Sequence, residues 1–448
     1  MSRRLQIGLI LVAYVLVLGA PFLMRPPGEN WEAVETLQII SPHWEGIKYE
    51  FRRGFRRWYF EQTEKKVDIE WLEIGGGSDI MRHLESEYTS NPDGGRIDIV
   101  FGGGPDFFRR LQKRNFLQTY RLPDDLLNAI PPTCAGVPMY DPEFHWYGAA
   151  LSSFGLVYNK VILRDRGLSF PDSWEDLGNP ELFTWIGAAD PGKSSSVHMM
   201  FEIVLQAYGW EKGMDIISRM GANARYFSDS SSQIPQDVAL GEVAIGMCID
   251  FYAGAKIAEV GVDRVGFAMP EGMTVINPDP IGILKGAPQL ESSRAFLRYV
   301  LSRPGQQRWM YKEGIPGGPT RFGLARLGVM TELYKDAPEK LLVESNPFLR
   351  KGGFEYNSPK GSSRWQLMND FIRTAIIDTH EDAVKAWKAL KKNGLPPEAL
   401  RKFGEVPLSE DEFMALTKQW KNPEFREKTR SEWVRWFRNK YLGIAASL

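Results

Sequence analysis

The chain has 448 residues, 43% hydrophobic and 25% charged, with 55 basic side chains against 56 acidic ones. That length allows two or three structural units at roughly 150 residues each, and the near-neutral charge removes any global pull toward nucleic acid. Two cysteines without a CxxC pair and five scattered histidines exclude zinc-ribbon and thioredoxin-type motifs. A disulfide between Cys134 and Cys248 stays open, because sequence cannot bring two sulfurs together.

Arg3 and Arg4 precede an apolar run from Ile7 to Met24, and the polar, acidic PPGENWEAVE follows. A run of roughly 18 residues is just long enough to cross a bilayer as a helix. The flanking charges place the N-terminus inside and the body outside. A cleaved signal peptide is the other reading, but Pro21 and Phe22–Met24 favour an uncleaved anchor. Either reading sends the body to the periplasm or the outer face of the membrane. Residues 1–35 are then anchor or signal plus a Pro/Gly linker.

Residues 36–104 carry the densest signal. Leu37–Ile40 reads as a buried strand, and Ile47, Phe51, Phe55 and Trp58 form one face of a helix. VDIEWLEI is a second strand, GGGS turns into a second helix, and Asp98–Phe101 is a third strand ending in Gly102–Gly104. Arg52, Arg53, Arg56 and Arg57 fall on the far helix face, where a solvated surface is the favoured reading. Ligands of open α/β sheets bind beyond the carboxyl ends of strands. Three such ends predict half a binding cleft, and no nucleophile–base pair accompanies them.

Phe107–Leu117 reads as helix, 121–145 as irregular, and Trp146–Asn159 as an extended segment crossing between lobes. A second α/β unit follows. Trp185–Ala188 is a strand, and DPGKSSSV leads into a helix over His198–Tyr208. Met214–Met220 is helical, Ala224–Phe227 is a strand, and SDSSSQ opens a helix near Gln233. Val243–Ile249 is a strand ending in Asp250, Phe251 and Tyr252. Val265–Met269 and Pro280–Leu284 carry the chain back to the first lobe. Ala295–Leu301 and Gln306–Lys312 are helical, and 335–363 is irregular. The remainder is helical and Trp-rich, with Thr379 as an N-cap and a Ser409–Glu412 capping box.

The stretches ISPHWEGIKYEF, KVDIEWLEIGGGSDIMRHL, IDIVFGGGPDFF, LVYNK, SWEDLGNPE, DPGKSSSV, LGEVAIGMCIDFYA, IGILKGAP and FLRYVLSRPGQQ occur in this order over residues 36–325. Together they resemble the extracellular solute-binding proteins of ABC transporters, in particular the type 2 periplasmic binding proteins of the ferric-iron-binding branch. The resemblance fades beyond about residue 360. It implies an α/β fold of two lobes around an interlobe cleft, closing like a hinged clamp, with a C-terminal helical extension. The implied organisation is lobe 1 over 36–145 and 278–363, lobe 2 over 146–277, and the extension over 364–448.

Ser194, Ser195 and Ser196 stand just before a helix, where N–H groups and hydroxyls favour an anion. The plain alternative is that one serine caps the helix; the resemblance to the family's anion-holding turn favours ligand contact. Gly77-Ser78 and Ser230–Ser232 are similar helix starts, with Ser231 kept as a candidate although capping is favoured there. His43 resembles the metal-ligating histidine of the iron-binding members, and Tyr252 one of their paired tyrosines. Here Phe251 and Ala253 flank Tyr252, and Gly102–Gly104 stand where those members carry a carboxylate. A hard ferric ion prefers anionic oxygens, so His43 is assigned a hydrogen-bonding role and no metal is expected. Asp250, Trp44, Ser153, Gly103 and Gly104 complete the candidate site.

The leading expectation is a tethered solute receptor, not an enzyme. It binds a small polar or anionic organic solute by hinge closure, uses no cofactor, docks on an ABC permease and works as a monomer without nucleic acid. The alternatives are a tethered sensor or scaffold on the same fold, a ferric-iron-binding protein, and an exported hydrolase.

Overall fold

The computed structural model describes residues 33–134, 136–343, 346–349 and 353–448. The anchor or signal reading falls on residues outside this set. Among the described residues no helix is long and apolar enough to cross a membrane.

The chain forms a mixed α/β fold of two lobes with extra C-terminal helices. Twelve strands occur in order: β1 Glu35–Ile40, β2 Val67–Leu72, β3 Ile99–Phe101, β4 Leu117–Gln118, β5 Thr133–Cys134, β6 Val137–Pro138, β7 Tyr147–Asn159, β8 Ile186–Ala189, β9 Ala224–Ser228, β10 Ile245–Ile249, β11 Val265–Ala268 and β12 Ile276–Leu284. The main sheet runs β2-β1-β3-β12-β7-β10-β8-β9, with β4 on β12 and β11 on β7. Strands β1, β2 and β3 pair in parallel, as do β8, β9 and β10. The centre, β12-β7-β10, is antiparallel.

Strand β7 belongs to both lobes. Its residues 147–153 pair with β12, and residues 154–158 pair with β10. All 13 of its residues are buried, which explains the small and apolar run YGAALSSFGLVYN. Strand β12 returns beside it, with an irregularity between Asp279 and Pro280 where the register shifts. Two prolines flank Asp279, and proline cannot donate to a ladder, so a bulge there fits the sequence.

Three apolar clusters hold the molecule. One lies on each face of the first lobe's sheet, built around Phe51, Phe101 and Trp309 on one side and Leu84, Phe107 and Phe108 on the other. The third joins the second lobe to the C-terminal helices without a break, from Met200 and Ile217 to Phe371, Trp387 and Phe437. The extension therefore shares a core with lobe 2.

Several local readings change. The helix expected over Phe107–Leu117 spans Pro105–Lys113, and Leu117 pairs with Leu284 in the sheet. Thr379 does sit at an N-cap, but its hydroxyl donates back to the carbonyls of Thr374 and Ala375 and does not cap. The Ser409–Glu412 capping box is present. Arg52 and Arg56 pair with Asp68, and Arg57 with Glu61, which accounts for most of the basic helix face. Cys134 and Cys248 are both buried, with no disulfide between them.

Candidate functional site

A cleft of about 630 Å³ opens between the lobes, a size typical of small-molecule sites. Seven helices start at its wall: Glu45–Thr63, Gly77–Ser90, Pro105–Lys113, Ser195–Tyr208, Gln233–Leu240, Asp250–Val260 and Trp365–Ile372. Each start presents backbone N–H groups and a partial positive charge. Four are offset by an acid in the first turn, namely Glu45, Asp79, Asp106 and Asp250. Trp365–Ile372 carries none, and neither do Ser195–Tyr208 and Gln233–Leu240. The latter two starts are neighbours, tied by a 3.1 Å bond from Ser196 Oγ to Ser231 Oγ. Ser194 is the N-cap residue, yet its hydroxyl makes no capping bond and lies 3.0 Å from Ser196 Oγ. The serine hydroxyls of this turn thus bond one another and Ser231 and do not cap their own helix.

The floor of the cleft is an ion network. Asp279, at the β12 irregularity, accepts from Arg326 Nη1 at 2.7 Å and lies 2.8 Å from His43 Nε2. Its other oxygen accepts the Gly103 N–H at 3.0 Å. Arg326 also donates to Ser152 and stacks on the Phe251 ring at 4.3 Å. Burial alone would raise the Asp279 carboxyl; the Arg326 charge and the His43 contact outweigh it and hold it well below the carboxylate range. Burial lowers the His43 pKa, only partly offset by Asp279. Gly102 has φ +92°, and a Cβ there would sit 2.7 Å from His43 Nε2. The glycine run therefore gives the imidazole its room.

Where the lobes meet, Gly76 faces Lys193: a Cβ on Gly76 would lie 2.4 Å from the Lys193 carbonyl oxygen. Gly77 lies beside Ser195 with room to spare, since a Cβ there would stand 3.4 Å from the Ser195 Oγ. A side chain at Gly76 would keep the lobes apart.

The extension also reaches the site. Just ahead of it in the chain, Tyr356 and Ser358 both donate to the Asp106 carboxylate. Arg364 forms a two-pronged pair with Glu202 of the second lobe, both bonds 2.8 Å, and donates to Glu410 at 2.7 Å. Burial pushes the Asp106 carboxyl up to about 7, although both hydroxyls favour its charged form. Trp365, next in the chain, lines the cleft.

The structure brings His43, Trp44, Gly103, Gly104, Ser194, Ser195, Ser196, Ser231 and Tyr252 to the cleft wall. Gly77, Ser78, Ser153 and Asp250 are not in that wall. Gly77 serves the lobe contact, and Asp79 rather than Ser78 accepts the Gly76 N–H. Ser153 points away because side chains alternate along a strand, and Ser152 takes its place in the lining. Asp250 instead clamps β7, accepting both the N–H and the hydroxyl of Ser153 at 2.7 and 2.8 Å. Burial pushes its carboxyl up to about 6.

Sequence reasoning missed Asp279, Arg326 and Trp365. Asp279 had a local signal, an acid between two prolines in an apolar strand. Arg326 had none.

A family model of bacterial extracellular solute-binding proteins matches residues 96–338, more than half of the chain. The chain belongs to this family. Membership accords with a location outside the cytoplasm and with binding rather than catalysis. The phosphoglycerate transport regulatory protein PgtC of Salmonella typhimurium is 26% identical over 395 residues, 86% of this solute-binding protein and 90% of the relative. A putative 2-aminoethylphosphonate-binding periplasmic protein of the same organism is 22% identical over 264 residues, covering 57% of this chain and 72% of that one. Among solved structures, the periplasmic binding protein AfuA from Actinobacillus pleuropneumoniae, with fructose 6-phosphate bound, aligns with a TM-score of 0.63 at 18% identity. That alignment covers 77% of this chain and 99% of AfuA. Iron-bound HitA from Pseudomonas aeruginosa aligns with a TM-score of 0.56 at 17% identity, over 75% and 99%. At such identities the structures establish the two-lobed fold.

Proposed function

We propose that this solute-binding protein is an extracytoplasmic sensor of a small phosphorylated organic acid, reporting cleft occupancy to a membrane partner that governs uptake. The chemistry rests on one observation: two of the three acid-free helix starts lie side by side, with Ser194, Ser196 and Ser231 around them. A phosphoryl group at that point takes backbone and hydroxyl donors from both. Charge-assisted bonds of this kind are about twice as strong as neutral ones.

Sensing is favoured over delivery by the extent of similarity. The match to a transport regulatory protein covers 86% of the chain and so reaches into the C-terminal helices. The family model stops at residue 338. Delivery to an ABC permease by the same closed form is the second reading, favoured by the fold shared with AfuA. Ferric iron fits the donors poorly. Tyr252 is the one tyrosine in the described lining, and the buried Arg326 cation occupies the neighbourhood of His43 and Asp279. Among the described residues, the one cluster of three possible metal ligands, Asp141, Glu143 and His145, lies outside the cleft.

Calorimetry and thermal unfolding with 3-phosphoglycerate, fructose 6-phosphate, 2-aminoethylphosphonate and ferric citrate test the ligand class. A phosphorylated acid is expected to raise the melting temperature, by about 2.7 kcal/mol of stability at a hundredfold excess over Kd. Stabilisation by ferric citrate alone would overturn this reading. In cells, loss of the gene is expected to abolish induction of uptake while a constitutively expressed carrier restores it. Uptake that no carrier expression restores favours delivery.

A further inference from the structure

Trp365 comes from the extension, outside the matched family region, yet it lines the cleft at 5% exposure. Its indole Nε1 has no hydrogen-bond partner among the described residues. An indole nitrogen only donates, and a buried donor left unmade is costly. The ring is held firmly: His198 stacks on it with centroids 3.7 Å apart, and the Arg110 guanidinium lies 5.4 Å from its centre.

The same surroundings hold two more unmet groups. His198 Nδ1 bonds Asn369 Oδ1 at 2.6 Å, while His198 Nε2 has no hydrogen-bond partner among the described residues. Burial lowers the His198 pKa to about 4, so the ring is neutral at physiological pH. Arg110 Nη1 is likewise buried without a partner. Arg110 belongs to the first lobe, His198 to the second and Trp365 to the extension. Three chain segments thus converge with polar capacity that the described residues do not use.

We infer that Trp365 is a ligand-contacting, specificity-determining residue whose indole N–H donates to the carboxylate of the bound acid, while the serine turns hold its phosphoryl group. The inference rests on the phosphorylated-acid reading for its ligand class. It assigns the extension a direct part in recognition. A ligand lacking an acceptor at that end leaves the indole unmet and binds less well.

Trp365→Phe keeps an aromatic ring and removes the donor. Trp146→Phe is the control, since Trp146 is equally buried, has an unpartnered Nε1 and lies outside the cleft lining. Calorimetry uses two probes, 3-phosphoglycerate and inorganic phosphate. Trp365→Phe is expected to weaken 3-phosphoglycerate about tenfold and to leave phosphate binding unchanged; Trp146→Phe changes neither. In ¹⁵N-labelled wild-type protein, the indole resonance that Trp365→Phe deletes is expected to move with 3-phosphoglycerate. Affinity for 3-phosphoglycerate kept within about twofold, an unmoved resonance, or equal weakening of both probes overturns the inference alone. A wild-type protein that binds phosphate but not 3-phosphoglycerate does the same. One that binds neither probe overturns the phosphorylated-acid reading together with it.

Discussion

Two aspartates, Asp106 fully and Asp279 largely buried, stand where the lobes are joined, and they are treated in opposite ways. Asp279 sits in the crossing strand with a guanidinium and an imidazole against it, and it stays charged. Asp106 receives the bridging segment that leads into the extension through two hydroxyls, and its carboxyl rises to about 7. A cation compensates a desolvated carboxylate; hydroxyl donors at the same depth do so only in part. The hinge is therefore a permanent ion pair, and the bridge is a contact whose charge state changes near neutral pH.

The largest expected effects come from removing the cations. Arg364→Met strands Glu202 in a fully buried site and is expected to cost about 3–5 kcal/mol in urea unfolding. Arg326→Met strands Asp279 and is expected to cost a similar 3–5 kcal/mol. If either loss stays below about 1 kcal/mol, that pair is as weak as a surface one and the contrast fails.

Next in size is the pH response. For Asp106 the folded pKa lies above the unfolded one, so between about pH 4 and 7 the folded state holds a proton that the unfolded state has released. Its contribution is then most favourable below pH 4 and declines as pH rises toward 7, by up to about 1.4 kcal/mol per unit. Asp279 has the opposite sign: its folded pKa is depressed, so its stabilisation is present above about pH 4 and is lost on acidification. Unfolding curves of Asp106→Asn across pH 4 to 8 are expected to lack the declining part. An unchanged profile would refute the protonation of Asp106. The smallest effect belongs to Tyr356→Phe, which removes one of the two donors. It is expected to cost about 1–2 kcal/mol at pH 8 and less at pH 5, where the carboxyl is protonated.

The first lobe was readable because its strands are short apolar runs, each followed by small residues. The serine turn was readable because three hydroxyls before an apolar helix are locally conspicuous. Strand β7 defeated the choice between Ser152 and Ser153: it is buried on both faces, so no alternation of polar and apolar residues marks which side meets the cleft. Asp250 was recognised as special but assigned to a ligand; its true partner, Ser153, is 97 positions away. Arg326 acts over 47 positions or more and Trp365 over 167 or more, and nothing in their own neighbourhoods announces it.

The single core shared by lobe 2 and the C-terminal helices bears on how such a receptor is trimmed or grafted. A chain cut after the family region would leave Met200, Ile217 and Trp210 facing water where Phe371, Phe413 and Trp387 now cover them. It would also lose one wall of its own cleft. These helices are not a module that can be exchanged between receptors: any transplant of the recognition loops has to carry the last ninety or so residues with it.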